Sequence, residues 1–70
     1  MIEYVLKKPY TVEGLGTLRE GDSITFFNNI MQYDGYAVAP AYYKYIRPLL
    51  EDENLKKEYI IERILPENKI

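Results

Sequence analysis

Tyr43, Lys44 and Arg47 are the side chains in this sequence best equipped to bind something, with Tyr10 as a fourth member of the set. A tyrosine ring attracts cations to its face, and a guanidinium offers a planar fork of donors to a carboxylate or phosphate. Eight tyrosines occur in 70 residues, and Tyr42, Tyr43 and Tyr45 stand almost side by side. Helical spacing over 41–47 puts Tyr42, Ile46, Leu49 and Leu50 on one stripe facing a core, which turns Tyr43 and Arg47 outward. Tyr43, Lys44, Arg47 and Tyr10 are therefore the candidate partner-binding residues. The plainer reading is that tyrosines widen a thin core while Arg47 offsets Glu51 one turn away.

Catalytic chemistry finds little to work with. There is no histidine, cysteine or tryptophan. Ser23, Thr11, Thr17 and Thr25 have no imidazole to activate them, so nucleophilic catalysis lacks its base. Glu51, Asp52 and Glu53 are consecutive on a break between elements, where carboxylates are solvated rather than converged on a cation. Gly14 and Gly16 lack the strand, third glycine and helix of a nucleotide-binding loop. Neither an enzyme, a cofactor nor a metal is expected. Lys7, Lys8, Lys44, Arg47, Lys56 and Lys57 could form a phosphate-binding stripe if the fold gathered them. A net charge of −2, from nine basic and eleven acidic residues, opposes a general attraction to nucleic acid.

The elements that must carry these residues belong to a single domain over 1–70, near the lower size limit for unaided folding. Hydrophobic content of 47% is ample for a folded domain and argues against disorder. The start has no signal-peptide pattern, and no apolar run nears the ~20 residues that span a bilayer. Absence of cysteine excludes a disulfide scaffold, and the expected location is the cytoplasm.

Along the chain, residues 2–6 read as a strand and 7–16 as a long loop broken by Pro9, Gly14 and Gly16. A charged Gly turn over 18–22 leads into a strand over 23–27, which Asn28-Asn29 ends. Asp34-Gly35 between two apolar runs predicts a two-residue hairpin. Gly35→Val should accordingly be more damaging than Gly14→Val, since Gly14 sits in a loop with room to adjust. Pro40 opens a short helix near 41–51 that stops or kinks at Pro48, because proline removes a bond and clashes with the preceding turn. Residues 58–65 fit a strand or a helix, the latter with Asn54 as cap. The tail over 67–70 is expected to be loose. The fold class is α+β: a small, mainly antiparallel, barrel-like domain of about five strands with one short helix.

Two segments resemble the Src-homology-3-like small barrels. Leu15 to Phe27 is similar to the part in which a long first loop ends in a charged Gly turn and a new strand. Gly35-Tyr36-Ala37-Val38-Ala39-Pro40, followed by Tyr42 and Tyr43, is similar to a fourth strand entering a helical turn. The run Ala-Leu-Tyr-Asp-Tyr and the strand tryptophan that bind proline-rich peptides in the eukaryotic domains are missing, so that activity is not implied. The opening, Tyr4 to Gly14, resembles the starts of small phage-encoded proteins, including tail-assembly factors.

The function expected from all this is a small non-enzymatic protein-binding or assembly module, plausible for a phage or mobile element. The alternative is a single-stranded nucleic-acid or nucleotide binder using the tyrosine, lysine and arginine surface. A monomer of this size buries only about 60% of its unfolded surface, which predicts a homo-oligomer paired through a strand edge or the tyrosine face.

Overall fold

The computed structural model describes residues 1–66. Five antiparallel strands form the main sheet: β1 (Ile2–Leu6), β4 (Ser23–Phe27), β5 (Ile30–Tyr33), β6 (Tyr36–Ala37) and β7 (Ile60–Ile64). Their order is β6-β5-β4-β1-β7. A separate two-stranded ribbon joins β2 (Tyr10–Val12) to β3 (Gly16–Leu18), and two helices, α1 (Tyr43–Glu51) and α2 (Glu53–Tyr59), lie between β6 and β7 in sequence. The class is α+β, and the five-stranded sheet is open, with β6 and β7 as its edges. The tail over 67–70 lies outside the described residues.

Two tight hairpins build the β4-β5-β6 meander. Asp34 and Gly35 take φ of 50° and 85°, as the expected hairpin requires. Asn28 and Asn29 do the same with φ of 51° and 63°, so the pair that ends β4 also starts β5. Asparagine tolerates this left-handed region better than other side chains.

The expected loop over 7–16 is instead largely the β2-β3 ribbon. Val12 and Leu18 bury their side chains in the core, while Thr11 and Thr17 face each other with hydroxyls 3.1 Å apart. Gly14 makes the connection at φ +87°, and a Cβ there would stand 3.6 Å from the Tyr45 ring. That is ordinary van der Waals distance, so the constraint at Gly14 is its positive φ and not a lack of room. Gly14 needs positive φ as much as Gly35 does.

Helix α1 corrects two further expectations. A 3₁₀ turn over Pro40–Tyr42 precedes it, and the helix does not stop at Pro48 but continues to Glu51. Proline costs roughly 3 kcal/mol in a helix interior. Ile46 and Leu49, 2% and 0% exposed, flank it in sequence and bury completely, and each such burial stabilises by about 1.5–3 kcal/mol. The 3₁₀ turn, with three residues per turn rather than 3.6, ends at Tyr42 and leaves that residue off the α-helical stripe. Tyr42 is 44% exposed, while Tyr43, three residues before Ile46 and seven before Leu50 within α1, shares their face and packs on the core.

Residues 58–65 divide between both alternatives: α2 ends at Tyr59 and β7 begins at Ile60. The cap is Asp52 rather than Asn54, its carboxylate accepting from the Asn54 and Leu55 amides at 2.9 and 3.1 Å. Leu55 and Tyr59, four apart, then pack on the core.

Strand alternation puts Leu6, Ile24, Met31 and Ile60 on one face of the sheet, all buried. Ile46 and Leu49 of α1, with Val12 and Leu18 of the ribbon, complete that core. No buried residue among those described lies on the opposite face. The fold is thus two layers over one side of a sheet. No helix among the described residues is long and apolar enough to cross a membrane.

Candidate functional site

The four expected site residues do not gather into one surface. Tyr43 is half-buried, and its hydroxyl accepts a hydrogen bond from the Met31 amide at 3.2 Å. That amide faces the short strand β6, whose Val38 amide bonds the Met31 carbonyl at 2.8 Å just beyond its end. The chain then turns away to Pro40, and the Tyr43 hydroxyl completes the ladder in its stead. Lys44 is exposed and lies over the Tyr45 ring, 5.2 Å from its centroid. Tyr10 packs edge-on against Tyr59 at 4.9 Å, with Lys8 over the same Tyr59 ring at 4.8 Å. Arg47 is exposed, its guanidinium 5.8 Å from the Tyr43 ring centroid.

Arg47 also lines a shallow cleft of about 450 Å³ with Leu50 and Glu51 of α1 and with Tyr4 and Phe26 of the sheet. Tyr4 and Phe26 meet edge-to-face at 6.5 Å and form its apolar wall. Arg47 and Glu51 stand one turn apart yet are not paired within 4.0 Å, so the plainer role suggested for Arg47 is not what the structure shows.

Lys7, Lys8 and Lys56 are engaged locally. Lys8 pairs with Glu58 at 2.7 Å, Lys56 with Glu62, and the Lys7 ammonium donates to the Lys57 carbonyl at 2.7 Å. Glu58 raises the pKa of Lys8, and Glu62 raises that of Lys56, chiefly through the direct hydrogen bond in each case. A phosphate-binding stripe over these residues would have to displace carboxylates. The acidic run also disperses: Glu51 borders the cleft while Asp52 caps α2. Among the described residues no three acidic side chains converge on a common point.

A polar knot lies at the β4-β5 end of the sheet. Tyr33 donates to the Asp22 carboxylate, which also accepts from the Arg19 amide at 3.3 Å. Burial and then the Asp22 carboxylate push the Tyr33 phenol up to about 12. The Tyr33 hydrogen bond in turn lowers the Asp22 carboxyl. The Asp34 carboxylate accepts from the Ser23 amide at 2.9 Å, which anchors the hairpin beside it. These bonds are satisfied within the fold and present no open valence to a ligand.

The face of the sheet away from the helices is the feature that the tyrosine spacing did not point to. Phe27, Ile30 and Ile61 lie on it, 54%, 45% and 50% exposed, with half-buried Val5 directly opposite Ile61. Phe27 and Ile30 are register partners across β4-β5. Thr25 and Gln32 pair between them and the hairpin, and Glu3 faces Arg63 at 3.2 Å. The sequence does contain the signal. Phe26-Phe27, Ile30-Met31 and Ile60-Ile61 are adjacent apolar residues within strands, and the strand period of two sends one of each pair to the far face.

No family model, no curated protein and no solved structure matches this chain.

Proposed function

We propose that this chain is a small, non-enzymatic protein-binding or assembly module, acting in the cytoplasm, and that the uncovered face of its sheet is where a protein partner sits. One observation carries the reading. The solvated side of an antiparallel sheet is ordinarily polar, whereas this one carries Val5, Phe27, Ile30 and Ile61. Among the described residues nine large apolar side chains are exposed, against eight in the core. Three of those nine, Phe27, Ile30 and Ile61, lie on this face in two patches separated by Glu3, Arg63, Thr25 and Gln32, and exposed apolar surface of this kind marks interaction sites. Removing the remaining exposed half of Phe27, Ile30 and Ile61 from water stabilises a complex by about 1 kcal/mol each. Arg47 and the Tyr4–Phe26 cleft supply a secondary contact at the helical side.

The resemblance of residues 4–14 to the starts of phage-encoded proteins supports an accessory or assembly role in a phage or mobile element. The likeness to Src-homology-3-like barrels enters this reading only as a likeness to binding modules. A nucleic-acid role is disfavoured by the carboxylates already bound to Lys8, Lys56 and Arg63. Replacing Phe27 and Ile30 together by serine tests the reading. The double variant is expected to melt cooperatively, like the wild type, and to lose the proteins that the wild type retains from a host lysate. Retention of the same proteins would move the site elsewhere.

A further inference from the structure

The two edges of the sheet are not alike. Strand β6 has two residues, and the backbone beyond it is diverted by Pro40, with the Met31 amide taken by the Tyr43 hydroxyl. Short length, proline and a covering side chain are devices that prevent edge pairing. Strand β7 has five residues, Ile60 to Ile64, with neither proline nor bulge, and no strand on its outer side among the described residues.

Hydrogen-bond parity shows what that outer edge offers. The Leu65 amide bonds the Met1 carbonyl at 2.8 Å, and the Lys7 amide bonds the Tyr59 carbonyl at 2.7 Å. Both fit the register of β1 with β7, in which Glu3 faces Arg63 and Val5 faces Ile61. The odd-numbered residues of β7 therefore direct their backbone groups toward β1. Glu62 and Ile64 direct theirs outward. The Ile60 amide is already given to the Lys56 carbonyl, which leaves the Ile60 carbonyl free.

We infer that β7 pairs with β7 of a second copy, antiparallel about a two-fold axis through Glu62, joining two five-stranded sheets into one. Two antiparallel strands of a continuous sheet can be related only by an axis normal to the sheet, which keeps like faces together. Opposed residues must then share parity, outward-directed pairs exchanging hydrogen bonds and the pairs between them none, and centring on Glu62 engages the whole strand. Glu62 exchanges two backbone bonds with Glu62 of the second copy, and each Ile64 amide donates to the Ile60 carbonyl across the axis. Ile64, 83% exposed in the monomer, comes to lie against Ile60 of the second copy on the helical side. Like charges opposite one another disfavour pairing, but each Glu62 brings Lys56 bound to it. Two carboxylates and two ammonium groups then surround the axis, so the charge is self-complementary. Because the β6 edge is blunted, the assembly closes at two copies instead of growing into a fibre.

This inference does not depend on the open-face reading, and its test separates the two. Glu62→Pro removes the outward N–H and leaves the bonds to β1 intact, a position where an edge strand accepts proline. Sedimentation is expected to give twice the 8.3 kDa chain mass for wild type and the single mass for Glu62→Pro. The chain has no cysteine of its own, so single cysteines report the register even if the proline variant folds poorly. Residues in a hydrogen-bonded pair have Cα atoms about 5.5 Å apart, within the ~4.4–6.8 Å that a disulfide spans. Glu62→Cys should form a covalent dimer on oxidation, whereas Ile61→Cys and Arg63→Cys should not. A wild type that stays monomeric at millimolar concentration overturns the inference, as does a Glu62→Pro dimer or crosslinking at Ile61→Cys or Arg63→Cys in preference to Glu62→Cys. The Phe27/Ile30 double-serine variant is expected to remain dimeric throughout.

Discussion

Replacing Tyr43 by phenylalanine removes one oxygen and keeps the ring. If Tyr43 were an outward binding residue, that oxygen would be in water and its loss would leave stability unchanged. The structure instead has it accepting the Met31 amide at 3.2 Å beside a side chain that is 0% exposed. Deleting the acceptor leaves a partly buried N–H unpaired, which costs about 1–2 kcal/mol. For a domain of this size each kcal/mol shifts Tm by about 4–8 °C, so the expected loss is about 4–16 °C. Tyr36→Phe is the control, since Tyr36 is 80% exposed, and surface changes of that kind stay within ~0.5 kcal/mol. Thermal melts followed by circular dichroism compare the two, and amide exchange at Met31 gives a local readout. Equal melting temperatures, with Met31 protection unchanged, would refute the claim that this hydroxyl finishes the β5 ladder.

Leu49→Ala should cost about 2–5 kcal/mol, from lost burial and the cavity left behind. A core of this size supplies roughly 3–5 kcal/mol, so the variant is expected to lose its cooperative thermal transition, and a normal melt would contradict the packing of α1. Gly14→Val should lower Tm about as far as Gly35→Val, because both glycines need positive φ. Ultraviolet titration should show one phenol ionising near pH 12, lost in Tyr33→Phe. A raised folded pKa means that the Tyr33 contribution is full below the ordinary value of 10.0 and disappears as pH climbs through about 12. Asp22 has the opposite sign: its lowered pKa gives stability above the ordinary 3.8 that is lost as pH falls below it. Asp22→Asn should therefore flatten the acid limb of stability against pH.

Local signals made much of the sheet legible. β1 and β4 follow from their strand-forming residues, and the β5-β6 turn from Asp34-Gly35, because a turn with two positive φ values admits few sequences. The β2-β3 ribbon was hidden by its own glycines, since Gly14 and Gly16 read equally as loop residues until Val12 and Leu18 are seen to be buried. At Pro48 a local rule lost to tertiary packing by Ile46 and Leu49. Tyr43 stands three residues before Ile46 and seven before Leu50, a helical spacing that puts it on their stripe, while the 3₁₀ turn over Pro40–Tyr42 leaves Tyr42 off it. Tyr43 is therefore at the core edge and not on the outward surface. The exposed face depends on which side of the sheet the helices cover, a long-range fact that adjacent apolar pairs hint at without deciding.

The most direct test of the account compares what tagged wild type and the Phe27→Ser/Ile30→Ser variant capture from the native host, at matched concentration and with melts run in parallel. Both residues are about half exposed and outside the core, so the fold should survive the change. The account predicts that the captured protein disappears while cooperative unfolding and dimer mass persist. Capture of the same protein in the same yield by the folded variant would contradict it.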